Sequence, residues 1–163
     1  MSSFADALRV LNEMKRSGIL EEYAVAGAMA MIFWAEPIPT FDLDVLVFLP
    51  TDEATIVSLA PIYDWSAKRG YPAQAEHVMI EGVPVQFLPA HNELAEEAIQ
   101  RAATLQYDDV PVRVVRPEYL VALYLEPGAR TMKRRERAAA LIESSALDRS
   151  ALDALLERFG LQI

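Results

Sequence analysis

The stretch from Thr40 to Pro50, TFDLDVLVFLP, constrains the fold more than any other part of the chain. Leu43, Val45 and Val47 alternate with Leu46 and Phe48, so a strand here is apolar on both faces, and Pro50 closes it. Such a strand needs cover on both sides and belongs in the centre of a sheet. The cover is legible on either side of it. Phe4, Ala7, Leu8, Leu11 and Met14 recur at helical spacing behind a capping-box-like Ser3 and Asp6, and Gly18 follows the last turn. Tyr23 to Ala26 is a short apolar run ending at Gly27, and Ala28 to Ala35 reads as a buried helix stopped by Pro37 and Pro39.

Further on, Thr51 or Asp52 is expected to cap a helix reaching Lys68, kinked or broken at Pro61 and ended by Gly70. His77 to Ile80 and Val83 to Leu88 read as an antiparallel pair around Glu81-Gly82, although Glu is a poor choice where φ must be positive. Asn92 caps a helix with Glu93, Glu96 and Glu97 in its early turns, and Val112 to Val115 predicts one more strand. From Arg116 onward only helices are expected, with Pro117 at a first helical position, breaks at Pro127-Gly128 and near Leu147-Asp148, and Gly160 as the final cap. The pattern predicts an α+β protein. Residues 1–115 form an α/β core, and residues 116–163 form a helical extension packed on it within one structural domain.

Composition narrows the chemistry. The 163 residues carry 15 basic and 24 acidic side chains, a net charge of −9 that disfavours nonspecific coating of nucleic acid. With no cysteine there is no thiolate nucleophile, disulfide or Cys-based metal site, and with only His77 and His91 no histidine-rich one. No apolar window nears the roughly 20 residues that span a bilayer, and the first residues, MSSFAD, do not read as a secretory signal, so a soluble cytoplasmic protein is expected. Carboxylates, Lys and Arg, hydroxyls and oxygen-liganded metals remain.

Asp42 and Asp44 are the sharpest feature. Period-two alternation puts both carboxylates on one face of a strand, roughly 7 Å apart. Two like charges on an apolar strand are expensive unless a cation lies between them, and here that would be a hard, oxygen-seeking ion such as Mg²⁺ or Mn²⁺. The alternative is a strand end where both face solvent or pair with Lys or Arg. Upstream, in AVAGAMA, a glycine between a predicted strand and helix lets backbone amides approach an anion. A phosphate cradle followed by a metal-carboxylate strand is minimal equipment for a nucleoside triphosphate.

In these residues the chain resembles the nucleotidyltransferase superfamily with the DNA polymerase β-like fold. The matches are Ala26, Gly27 and Ala28, a 13-residue spacer from Met29 to Phe41, and Asp42-Leu43-Asp44-Val45. Thr40, the hairpin segment VPVQFLPA and the late RPEYLVALYL and GARTMKRRERAAALI look like the small bacterial branch of AbiEii/AbiGii-type toxins and minimal nucleotidyltransferases. The resemblance implies a nucleotidyltransferase-like mixed sheet flanked by helices. It also implies Asp42 and Asp44 as catalytic metal ligands, and nucleotide contacts from Gly27, Ala28 and Thr40. Two positions depart from the pattern. Ala28 replaces the second Gly or Ser of the motif, and Gln86 stands where the superfamily places its third carboxylate. Gln cannot serve as a general base and ligates Mg²⁺ far less strongly than a carboxylate. Glu76, His77 or Glu81 are substitutes to weigh against a reading of all three as surface hairpin residues.

The second informative segment is basic. Arg130, Lys133, Arg134, Arg135 and Arg137 face one acid, Glu136, a net of +4 that leaves −13 for the rest of the chain. Cations in the opening turns of a helix oppose its dipole. Either an anionic ligand, held by Arg130, Lys133 and Arg134, or pairing with the excess carboxylates compensates. His77 and His91 read as strand and loop residues, Trp34 and Trp65 as core or interface, and Met29 to Met31 as packing. Two functions stay open. One is transfer of an NMP from an NTP to a hydroxyl on RNA, protein or a small molecule, with divalent metal. The other is a catalytically degenerate nucleotide-binding or protein-interaction module of toxin–antitoxin type, which Gln86 favours.

Overall fold

A computed structural model describes residues 3–50, 58–128 and 131–163, without the side chain of Ser3. The expected caps at Ser3, Thr51 and Asp52 lie outside the described residues, as does Arg130.

Helix α1 (Ser3–Arg16) leads into β1 (Glu22–Ala26), the short α2 (Gly27–Met31) and β2 (Leu43–Phe48). After α3 (Ala60–Lys68) come β3 (Ala73–Gln74), β4 (His77–Ile80) and β5 (Val83–Pro89), then α4 (Glu93–Gln100), β6 (Ala103–Tyr107) and β7 (Val110–Val114). Three helices end the chain: α5 (Pro117–Tyr124), α6 (Met132–Ile142) and α7 (Arg149–Phe159). Among the described residues the strands form one sheet in the order β3-β4-β5-β2-β1-β7-β6. Strand β2 is its middle member, parallel to β5 and antiparallel to β1. Its Leu43, Val45 and Val47 are all but inaccessible on one face, and Leu46 is buried on the other, as a doubly covered strand requires. No helix among the described residues is long and apolar enough to cross a membrane.

Three sequence expectations change. The helix expected over Ala28 to Ala35 is the five-residue α2, followed by turns. Pro61 sits in the first turn of α3, where its missing N–H costs nothing, and the expected helix upstream of it falls on residues 51–57, outside the described residues. The single strand expected at Val112 to Val115 is one arm of a hairpin, β6–β7, whose turn residues Asp108 and Asp109 both take positive φ. Strand β3, a two-residue edge paired to β4, was too short to carry a periodic signal. The Glu81-Gly82 turn forms as read, with φ of +50° and +79°. Its awkward Glu is held by Tyr71, whose phenol donates to Glu81 Oε1 at 2.8 Å.

The C-terminal helices follow the pattern closely. Pro117 opens α5, Thr131 caps α6 by accepting from the Arg134 N–H, and Asp148 caps α7 by accepting from the Ala151 N–H. Left-handed Gly160 ends α7. Glu97 on α4 binds both Arg158 of α7 and the Tyr119 phenol of α5, tying the last helix to the sheet layer. Trp34 packs against the core and donates to the Val115 carbonyl at 2.8 Å.

Candidate active site

Because β1 and β2 run antiparallel, the end of β1 meets the start of β2, and Ala26 is the register partner of Asp44. The chain then turns at Gly27 with φ +61°. A Cβ built on Gly27 would lie 2.5 Å from Asp44 Oδ2, so a side chain here would strain the backbone and have to displace the Asp44 carboxylate. The motif glycine therefore seats the second carboxylate of the Asp-x-Asp pair.

Asp44 is half-buried, and its Oδ1 is enclosed with no hydrogen-bond partner. Burial, and then the charge of Asp42, push its carboxyl above the ordinary range, while His77, Arg137 and Arg134 pull in the opposite direction. A carboxylate left in this state is costly for a fold to keep unless a cation or a donor completes it. Asp42 precedes β2 and is half exposed at its side chain; the Thr40 hydroxyl contacts it, donating to its carbonyl oxygen at 3.1 Å. The two carboxylates are thus unequal, one open to solvent and one enclosed against Gly27.

Asp42 borders a cleft of about 520 Å³, within the usual size for small-molecule sites, and Asp44 lies two residues further along β2, outside its lining. Ala28, Asp42, His77 and Pro84 line it on the sheet side, and Lys133 and Arg137 of α6 line it opposite. Thr40 and Phe41 complete the wall, Phe41 with 83% of its surface exposed. Of the expected basic residues, Lys133 faces the cleft as read. Arg134 is laid over the Tyr124 ring, its guanidinium carbon 5.7 Å from the centroid, although its charge still acts on Asp44. Arg137, one turn beyond Lys133, takes the cleft position, with its Nε enclosed and unpartnered.

Gln86 on β5 is the register partner of Asp44 on β2, so the two lie side by side on neighbouring strands. His77 stands one strand further out. Its Nε2 lies 3.8 Å from Asp42 Oδ2 and has no hydrogen-bond partner, and its Nδ1 faces Glu76 Oε1 at 3.7 Å. Glu81 is instead occupied at its turn by Tyr71, and His91 is an exposed loop residue beside Asn92. Among the described residues no three His, Asp or Glu side chains are already gathered as an ion-holding set. Tyr124, on α5, carries no sequence signal of function. Its phenol is buried beside Arg137, raised by burial against the charge and side-chain contact of Arg137 and the charge of Arg134.

The donor set fits a hard divalent cation. It offers an enclosed, unsatisfied carboxylate oxygen, a second carboxylate two residues away, and a glycine cradle that leaves no room for a side chain. Lys133 and Arg137 give the facing wall a charge suited to phosphate.

No family model matches the sequence, and no curated protein matches it. Solved structures do match. The antibiotic-resistance factor ANT(2'')-Ia, solved in complex with adenylyl-2''-tobramycin, superposes with a TM-score of 0.58 at 14% identity, covering 97% of this chain and 97% of that one. Its solution structure gives 0.54 at 14% identity, over 95% and 90% of the two chains. An antigenic nucleotidyltransferase-like protein from Paracoccidioides brasiliensis gives 0.54 at 16% identity, over 94% and 88%. At these identities the likeness is one of fold: the chain has the α+β nucleotidyltransferase-like architecture, a mixed sheet flanked by helices.

Proposed function

We propose that this protein is a metal-dependent nucleotidyltransferase that transfers a nucleoside monophosphate from an NTP to a hydroxyl group. The carrying observation is Asp44, enclosed against Gly27 with an unsatisfied oxygen, beside Asp42, which lines a cleft together with Lys133 and Arg137. Asp42 and Asp44 would hold the ion. A divalent cation, when bound, neutralises the triphosphate and aligns the attacking and leaving oxygens. Lys133 and Arg137 bind phosphate oxygens and stabilise the charge that moves onto the departing pyrophosphate. Thr40 steadies Asp42 from behind. Because α2 is a single short turn, Gly27 and Ala28 contribute through close backbone approach rather than through a helix dipole. In the reaction the acceptor oxygen bonds to the α-phosphorus, the bond to the bridging oxygen of pyrophosphate breaks, and the hydroxyl proton passes to solvent water. Gln86 cannot take that proton.

A small polyhydroxylated molecule is the acceptor we favour. The superposition with ANT(2'')-Ia, a protein solved with adenylyl-2''-tobramycin, extends over nearly the whole of both chains, and the exposed ring of Phe41 offers an apolar surface at the mouth. The test is label transfer from each α-labelled NTP with Mg²⁺ or Mn²⁺ to panels of aminoglycosides, RNA and protein. Absence of transfer to every acceptor, with no metal-dependent NTP binding by calorimetry, sinks the proposal.

Gln86 beside Asp44 favours a second reading, a degenerate nucleotide-binding module of the toxin–antitoxin type that the AbiEii/AbiGii resemblance suggests. That reading requires NTP binding that is independent of metal and unaffected by Asp44→Asn.

A further inference from the structure

The vacancy of charge at Gln86 leaves open what completes the ion's protein ligands, and the geometry around His77 supplies an answer. The β4–β5 ladder pairs Val78 with Val85, so one further step along it brings His77 opposite Gln86. A single row across the sheet thus runs Ala26, Asp44, Gln86, His77 and on to Gln74, the register partner of His77. His77 Nε2 is buried and unpartnered, an unusual state for a ring nitrogen in a polar cleft, and its nearest acid is Asp42 Oδ2 at 3.8 Å. That separation is too long for a hydrogen bond. It is close to what two donors keep around one ion, since donors about 2.1 Å from a metal stand roughly 3 to 4 Å apart. Glu76 lies on the side of the other nitrogen, its Oε1 3.7 Å from Nδ1, beyond hydrogen-bond distance but within reach of a small side-chain rotation that would let it orient a ligating imidazole.

We propose that His77 is the third protein ligand of the divalent ion, through Nε2, in place of the carboxylate that Gln86 does not provide. The inference rests on the nucleotidyltransferase reading of Asp42 and Asp44. Asp44 and His77 close on the ion by side-chain rotation, since the three groups are not yet gathered. Two carboxylates and one imidazole make a mixed oxygen and nitrogen set. Such a set holds Mn²⁺ and later transition ions better than Mg²⁺, which favours oxygen donors alone.

Mn²⁺ titration of the full chain, followed by the loss of the free-ion EPR signal, tests this with inorganic tripolyphosphate, a ligand without nitrogen. The expected results are ¹⁴N modulation of the bound Mn²⁺ in the unaltered protein, its loss in His77→Gln, and Mn²⁺ affinity at least tenfold weaker in that variant. Gln86→Ala should retain the modulation. Bound Mn²⁺ without ¹⁴N modulation overturns the proposal whatever His77→Gln does to affinity, and leaves the nucleotidyltransferase reading standing if Asp44→Asn abolishes binding. Failure to bind Mn²⁺ at all, with or without tripolyphosphate, overturns both. Because the modulation is read in the unaltered protein, misfolding of a variant cannot decide the outcome.

Discussion

At the start of β1 the Tyr23 phenol, with 1% of the residue's surface exposed, donates to Asn12 Oδ1 at 2.7 Å, and Asn12 donates in turn to the Pro111 carbonyl. Glu22 beside it pairs with Lys15 and with Arg113, whose guanidinium also donates to the Ile99 carbonyl. At the end of the same strand, about 10 Å away by the strand rise, the polar groups are of the same kinds and have no such partners. Asp44 Oδ1, His77 Nε2 and Arg137 Nε are enclosed with no hydrogen-bond partner, and the buried Tyr124 phenol lies against Arg137. Folding can satisfy buried polar groups, as it does for the Tyr23 phenol, although Arg113 Nε in the same network has only the Glu22 carboxylate at 3.3 Å and no hydrogen bond. Where it leaves Asp44, His77 and Arg137 unsatisfied within electrostatic reach of one another, their cost is borne for something that binds there. The first network is about stability and the second about a ligand, a difference that composition does not carry.

The sharpest break of that contrast is at Asp44. Asp44→Asn should lower transfer activity at least about 10³-fold, as loss of a metal-holding carboxylate does. It should leave stability unchanged or raise it by about 1 kcal/mol, since an uncompensated charge is removed. Turnover and urea melts on the same preparation check both, and a large loss of stability would show that Asp44 is structural. Gly27→Ala should cost about 1–3 kcal/mol and most of the activity, because the new Cβ must displace Asp44 and the residue must hold positive φ. If the variant matches the parent protein in both, the cradle is unimportant.

Tyr23→Phe probes the other end of the strand. It should cost about 1–2 kcal/mol at neutral pH and leave NTP affinity unchanged. Burial pushes the Tyr23 phenol up from its ordinary 10.0 to about 12, with the Glu22 charge in support. A group raised in the folded state stabilises fully below its unfolded value and loses that contribution as pH rises through the folded one. The stability gap between the two proteins should therefore narrow from pH 10 towards 12 and above, as followed by alkaline denaturation.

The smallest effect belongs to Glu97. Burial pushes its carboxyl up, but hydrogen bonds from Arg158 and Tyr119 and the charge of Arg158 outweigh it and hold it below the ordinary 4.5. Its contribution is present above that value and lost as pH falls through the lowered one. The Tm difference between the parent protein and Glu97→Gln should be small at pH 7 and shrink as pH falls below 4.5 and through the lowered value. A difference that persists in acid would mean that the ion pair is not its source.

The central strand, the Asp42 and Asp44 pair, the Glu81-Gly82 hairpin and the three C-terminal helices with their caps were legible because each is written in local periodicity or in one capping residue. Strand β6 was not. It is an edge strand, and its turn is Asp-Asp, without the glycine that marks a tight hairpin. The site was legible only in part, for a related reason. On α6 the sequence places Lys133, Arg134 and Arg137 on adjoining stripes of one helix. Packing against Tyr124 turns Arg134 away and leaves Arg137 in the cleft.

By itself, then, the sequence determined a doubly covered central strand bearing two carboxylates, a glycine that must precede it at a turn, and a basic helix start. These follow from interactions between residues a few positions apart. Only the tertiary structure decided that Gly27 closes on Asp44, that Gln86 stands beside it, and that His77 Nε2 is left unpartnered at the cleft. Those facts depend on strand order and register, which are set by the burial of the whole sheet rather than by any one segment of it.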